Sequence, residues 1–126
     1  MKEIKQTIII NRPVEEVFAF TTNPANTPKW VDAIAVEQTN EWPVKIGTIY
    51  RSQNHVGEWS ELELIGFEAN RMFTLRLPDG GRVSYNFSAS GADATRLDYT
   101  WASDGRLDAS FLDKILTKLK VVIEAV

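Results

Sequence analysis

The chain has 126 residues with a formal charge of −3, and 44% of its residues are hydrophobic and 25% charged, the profile of a globular domain with a sizeable core. It has no cysteine and one histidine, His55, which excludes a disulfide framework, thiolate catalysis and the usual cysteine or poly-histidine metal sites. The acidic balance argues against non-specific binding of nucleic acid or of an anionic membrane surface.

The first eleven residues hold two lysines but no long apolar run ending in small residues, so a secretory signal is not expected and a cytoplasmic location is the default. No apolar run approaches the length of a membrane span. Asn86-Phe87-Ser88 spells a glycosylation acceptor, which without a secretion signal reads as chance.

Glu3 to Ile10, rich in isoleucine and threonine, reads as a strand with Ile4, Gln6, Ile8 and Ile10 on one face and Ile9 on the other. Helical signals begin at Arg12-Pro13: proline is favoured at the first helical position, and Glu15 and Glu16 suit the positive end of a helix. Val14, Val17, Phe18 and Phe20 form its apolar side. Pro24 ends this helix, and Pro24 to Trp30 reads as a second short helix or turn interrupted by Pro28.

From Ala33 the pattern changes to strands: Ala33 to Thr39, Ile46 to Asn54, Trp59 to Phe67 and Met72 to Leu77, the last following a turn near Asn70. Pro78-Asp79-Gly80-Gly81 is a hairpin signal. Val83, Tyr85 and Phe87 alternate with polar residues, as do Leu97, Tyr99 and Trp101 after a turn at Gly91-Ala92-Asp93, so each strand has one buried face. Short connections make the run an antiparallel meander. A final helix spans about Ser110 to Val126, its apolar residues Phe111, Leu112, Ile115, Leu116, Leu119, Val122, Ile123 and Val126 falling in a stripe roughly 140° wide. Only the sheet is large enough to cover that stripe. The result is an α+β domain over residues 1–126, a twisted sheet wrapped about one terminal helix.

Several segments together resemble a known family. Ile8-Ile9-Ile10-Asn11-Arg12-Pro13-Val14-Glu15-Glu16-Val17-Phe18 resembles the opening motif of the SRPBCC, or START-like, superfamily. Asn23-Pro24-Ala25-Asn26-Thr27-Pro28-Lys29-Trp30 resembles its second-helix segment ending in tryptophan. Gly47-Thr48-Ile49-Tyr50 resembles its glycine-opened strand, Leu64 to Arg71 the strand and turn that follow, and Thr95-Arg96-Leu97 its penultimate segment. Within the superfamily the polyketide cyclase/dehydrase group is the nearest likeness. The resemblance implies a helix-grip fold: a curved antiparallel sheet of about seven strands around a long C-terminal helix, with two short helices after the first strand. Between sheet and helix it implies an apolar cavity that takes lipids, sterols, polyketides or other hydrophobic molecules. The last helix, stopping at Val126, is short for the family, which leaves the cavity small or open at one end, or leaves apolar surface for a homodimer partner.

Inward alternation nominates Leu62, Leu64, Phe73, Leu75, Val83, Tyr85, Phe87, Leu97, Tyr99 and Trp101 as pocket walls, and the helices add Val17, Trp30, Phe111, Ile115 and Leu119; each can equally fill a core. Trp30 leads, because the motif match carries the family's wall position onto it. The strand from Ile46 is ambiguous in phase: one phase turns Thr48, Tyr50 and Ser52 inward, the other Ile49, Arg51 and Gln53, and the first is preferred. Tyr85 and Tyr99 stand out because a buried phenol needs a hydrogen-bond partner, which can be ligand, backbone or water.

For catalysis the candidates are His55, Tyr85 and Tyr99. An imidazole suits acid–base work, but His55 lies beside the Val56-Gly57 turn, where an exposed histidine is the ordinary outcome. Glu61, Glu63 and Asp98 fall on solvent-facing phases. Arg51 and Arg76 are either anion clamps or surface arginines. Gly80-Gly81 lacks the lysine, hydroxyl and helix of a phosphate loop. Trp42 reads as a loop anchor, Trp59 as a residue of either the sheet surface or the cavity mouth. Lys114, Lys118 and Lys120 read as cations placed toward a helix C-terminus.

The leading expectation is a module that binds a small hydrophobic or amphipathic molecule. The alternatives are a cyclase/dehydrase-type enzyme using the same cavity and, as in other superfamily members, a protein-interaction or assembly-factor domain. No metal, nucleotide or redox cofactor is implied.

Overall fold

The computed structural model describes residues 1–126. In chain order it contains β1 (Lys2–Ile10), α1 (Val14–Thr22), a 3-10 helix (Pro24–Lys29), β2 (Val36–Thr39), β3 (Ile49–Gln53), β4 (Trp59–Glu68), β5 (Met72–Arg76), β6 (Arg82–Ala89), β7 (Thr95–Ser103) and α2 (Ala109–Glu124). The seven strands form one antiparallel sheet in the order β1-β7-β6-β5-β4-β3-β2. β2 to β7 are the meander, and β1 adds to its far edge beside β7. The two helices after β1 therefore carry the chain from one edge of the sheet to the other.

Local chemistry sets the element ends. Asp108 caps α2, its carboxylate accepting from the Ser110 and Phe111 amides at 3.0 and 3.2 Å. Pro13 stands at the N-cap of α1, extended at ψ 153°, one position before the first helical residue, where the sequence had suggested it. β2 starts at Val36 and β3 at Ile49, each three residues later than the hydrophobic pattern suggested. At β3 the cause is a turn: the Thr48 amide donates to the Lys45 carbonyl at 3.0 Å, Gly47 has φ +97°, and Ile46 is exposed. The register of β4 against β5 shifts between Leu64 and Gly66, a bulge of the kind that bends a sheet.

The predicted stripe of α2 is buried at Leu112, Leu116, Leu119 and Ile123, whereas Phe111 and Val126 are exposed. Val126 lies past the last helical turn, and Phe111 sits at the rim of the grip. The far end of α2 is clamped by the corner after β1. Arg12 donates to the Glu124 and Val126 carbonyls at 2.5 and 3.0 Å. The Glu124 carboxylate accepts from the Asn11 amide at 2.8 Å and the Lys120 ammonium at 2.6 Å, and Lys120 also reaches the Ile9 carbonyl. Lys118 pairs with Asp32. Those two lysines thus have specific partners and none of the three lies in the last turn, so the helix dipole does not explain them.

Beneath α1 the core is aromatic. Phe73, Tyr85 and Phe87 stack in sequence, Phe73 and Tyr85 at 4.2 Å, and Phe18 sets its edge against Phe67, Phe73 and Phe87. This end of the grip is filled. The other end, under Trp30 and the first turns of α2, is not.

Candidate functional site

Strand register lays two rows of side chains across the concave face. Phe73, Tyr85 and Tyr99 are directly opposite one another, as are Leu75, Val83 and Trp101. Tyr50 and Leu62 extend this floor onto β3 and β4. Thr21 of α1, Thr27 and Trp30 of the second helical segment, Val31, Ile34 and Ile115 of α2 form the roof. All of these except Trp101, together with Leu77 and Glu37, enclose a cavity of about 140 Å³. Twelve of its fifteen lining residues are hydrophobic, so burial is what it offers a guest. Roughly 150 Å³ of apolar cavity accommodates a benzene ring.

Two further depressions share wall residues with the inner cavity. A wholly apolar groove of about 180 Å³ runs past Leu77, Val83, Tyr99, Trp101, Phe111, Leu112 and Ile115. A second lobe of about 240 Å³ lies on the other side of Ile115 and Phe111, bordered by Trp30, Asp32, Ala33, Lys114 and Lys118. The larger depression beside Lys2, Glu3, Asp104 and Arg106, about 810 Å³, is an open polar trough at the far edge of the sheet.

The polar groups of the inner cavity differ in what they already bond. Tyr50 donates its hydroxyl to the Thr22 carbonyl at 2.7 Å, so it pins the end of α1 to the sheet. Thr21 is satisfied within α1. Glu37 on β2 accepts from Thr27 at 2.6 Å through one carboxylate oxygen and from Ser52 at 2.5 Å through the other. Burial pushes its carboxyl above the ordinary glutamate value, and the two hydroxyls only partly offset this. Burial also raises the phenols of Tyr85 and Tyr99, which meet edge to face at 4.8 Å, so both are neutral hydrogen-bonding groups at physiological pH. Trp30 is 3% exposed, and its indole Nε1 is buried with no hydrogen-bond partner. An orphaned buried donor costs about 1–3 kcal/mol.

Of the residues nominated from the sequence, Trp30, Tyr50, Phe73, Leu75, Tyr85, Tyr99 and Ile115 line the inner cavity, and Trp101 and Phe111 line the outer groove. Leu64 and Phe87 do neither. Both are buried in the core: Phe87 because Phe18 descends from α1 onto it, and Leu64 beside Leu75 on the neighbouring strand β4. His55 is exposed in the β3–β4 turn, bonded through Nε2 to the Asp32 carbonyl at 2.7 Å, and the structure does not bring it to the cavity. Arg51 lies over the ring of Trp59 at 4.8 Å on the outer face, and Arg76 pairs with Glu63 at 3.1 Å. Neither faces a guest. Trp42 is 60% exposed and anchors nothing.

Glu37 was missed. Its strand is short and has an exposed valine beside it, so alternation gives no usable phase. The available signal was Ser52: a polar side chain on the inward phase of β3 needs a buried partner, and β2 is where one can stand.

Residues 1–121 match the model of a family described as polyketide cyclase/dehydrase and lipid transport. No curated protein matches the chain in sequence. Among solved structures it is similar to a START superfamily protein from Mycobacterium smegmatis, with 11% identity, TM-score 0.81, and 98% of this chain and 97% of the other covered. It is also similar to the Aha1 dimer from Colwellia psychrerythraea, with 14% identity, TM-score 0.76, and 98% and 97% covered. At these identities the likeness shows the helix-grip fold.

Proposed function

The chain belongs to the polyketide cyclase/dehydrase and lipid transport family, and we propose that it binds a small hydrophobic or amphipathic molecule in the cavity between the sheet and α2. The observation that carries this reading is the Trp30 indole: a hydrogen-bond donor, buried and unpartnered, in the wall of an apolar cavity. Buried donors in folded proteins are almost always satisfied, and under this reading an acceptor atom of the guest satisfies this one. The apolar walls contribute at roughly 25 cal/mol per Å² buried, and Tyr85 and Tyr99 supply adaptable hydroxyls. No helix is long and apolar enough to cross a membrane.

Native mass spectrometry of freshly purified protein, beside a denatured control, tests this. The expected result is a non-covalent mass that disappears on denaturation, or a protein that takes up one equivalent of added 1-octanol. A spectrum that is free of ligand and stays so after the addition contradicts the proposal.

One observation favours catalysis in the same cavity: the raised carboxyl of Glu37, a group suited to moving a proton. Under that reading the protein releases its guest altered, lighter by one water if the reaction is a dehydration. Under the binding reading the guest leaves unchanged.

A further inference from the structure

The distribution of charge and hydrogen-bonding groups says more about the guest. No lysine, arginine or histidine lines the inner cavity, and its one carboxyl group is that of Glu37. Trp30, Glu37, Tyr85 and Tyr99 bring polar atoms to its wall, while the adjoining groove past Trp101 and Phe111, which shares Tyr99 with it, is lined by hydrophobic residues only. Glu37 is fixed in place by Thr27 and Ser52, one hydroxyl to each oxygen, and a carboxylate has about four acceptor sites, so each oxygen can take one more donor.

We propose that the cavity selects its guest by head-group charge, taking an amphiphile head-first with a neutral or cationic head that donates a hydrogen bond to Glu37 and leaves its tail along the Trp101–Phe111 groove, and rejecting carboxylates. This deepens the binding reading and rests on it. An acceptor atom in the head, such as a hydroxyl oxygen, meets the Trp30 indole N–H, while the hydroxyl or ammonium hydrogen meets Glu37. A carboxylate head meets a second acceptor with no cation to offset the loss of its hydration, which burial makes costly.

Two cations, Lys114 and Lys118, line the lobe beyond Ile115. Lys118 is engaged by Asp32. Lys114 therefore defines the opposing arrangement, an anionic head at the rim with the tail pointing in.

Three probes of eight carbons each distinguish these arrangements: octylamine, 1-octanol and sodium octanoate, titrated at pH 7 by calorimetry into the wild type, Glu37→Gln and Lys114→Gln. The wild type is expected to bind octylamine and 1-octanol at least about tenfold more tightly than octanoate, the size of one charge-assisted hydrogen bond. Glu37→Gln keeps the shape of the site and is expected to erase most of that difference. Octanoate binding as tightly as 1-octanol to the wild type, an order of affinities unchanged by Glu37→Gln, or octanoate binding lost in Lys114→Gln each overturns head-first selection while leaving the cavity as the binding site. Binding of none of the three overturns the cavity reading itself, and the inference with it.

Discussion

The indole of Trp30 meets the ring of Tyr85 edge to face, 6.4 Å between centroids at 89°. That contact fixes the plane of the indole against the sheet and leaves its N–H without a protein partner. Trp30→Phe keeps an aromatic wall and deletes the donor. It is expected to fold and to weaken binding of 1-octanol by about fivefold, the value of one neutral hydrogen bond near 1 kcal/mol. Unchanged affinity in calorimetry would show that the indole N–H does not contact the guest.

Glu37 makes stability depend on pH in a distinctive direction. Its carboxyl is raised on folding by burial, so above the ordinary glutamate value the folded state holds more proton than the unfolded chain. Stability is therefore lost as pH rises through the window between the unfolded and the raised value, at up to about 1.4 kcal/mol per pH unit. Asp79, Asp98, Asp108 and Glu124 are lowered and act in the opposite sense, losing stability as pH falls through their own range. The difference between Glu37→Gln and wild type removes that background. In urea melts this difference is expected to favour the variant increasingly as pH rises above 4.5; a difference independent of pH contradicts the assignment.

Arg12 holds the C-terminal end of α2 through two backbone carbonyls. Arg12→Gln removes a charged donor from a helix end and is expected to cost about 1–2 kcal/mol of stability. Hydrogen exchange should locate the loss in the last turn of α2 and leave the protection of β5 and β6 unchanged.

Gly81 is required by close approach: a Cβ there would lie 2.5 Å from the Ala102 carbonyl oxygen. The tightness comes from Asp79, whose carboxylate accepts from the Gly81 amide at 2.8 Å and from the Ser103 hydroxyl at 2.9 Å, drawing the hairpin tip against the end of β7. Gly81→Ala is expected to destabilise by about 1–3 kcal/mol in thermal melts. Gly80, with φ +85° and open space around its Cα, is expected to accept asparagine at a smaller cost.

The architecture was legible in the sequence because most of its strands are half-buried and its last helix is one-sided. Val83-Ser84-Tyr85-Asn86-Phe87 and Leu97-Asp98-Tyr99-Thr100-Trp101 each declare which face is inward, and the register then places Tyr85 opposite Tyr99. What alternation does not reveal is depth along that face. Phe87 has the same phase as Val83 on β6, yet Phe18 covers Phe87 and leaves Val83 in the cavity wall. Glu37 was hard to read for a different reason: β2 shows no clear alternation, and the Thr27 and Ser52 hydroxyls that hold its carboxylate are 10 and 15 residues away in sequence. His55 illustrates the reverse case, a residue with suitable chemistry that its turn holds outside the cavity.

The indole N–H resonances provide the most direct measurement. The chain has four tryptophans, and in a ¹⁵N–¹H spectrum the signal lost in Trp30→Phe identifies Trp30. On titration with 1-octanol that signal is expected to move downfield as its N–H acquires an acceptor, while those of Trp42 and Trp59, 60% and 42% exposed on the outer surface, stay in place. Movement confined to Trp42 or Trp59, or saturable binding with the Trp30 signal unmoved, would contradict a guest in the cavity between sheet and helix.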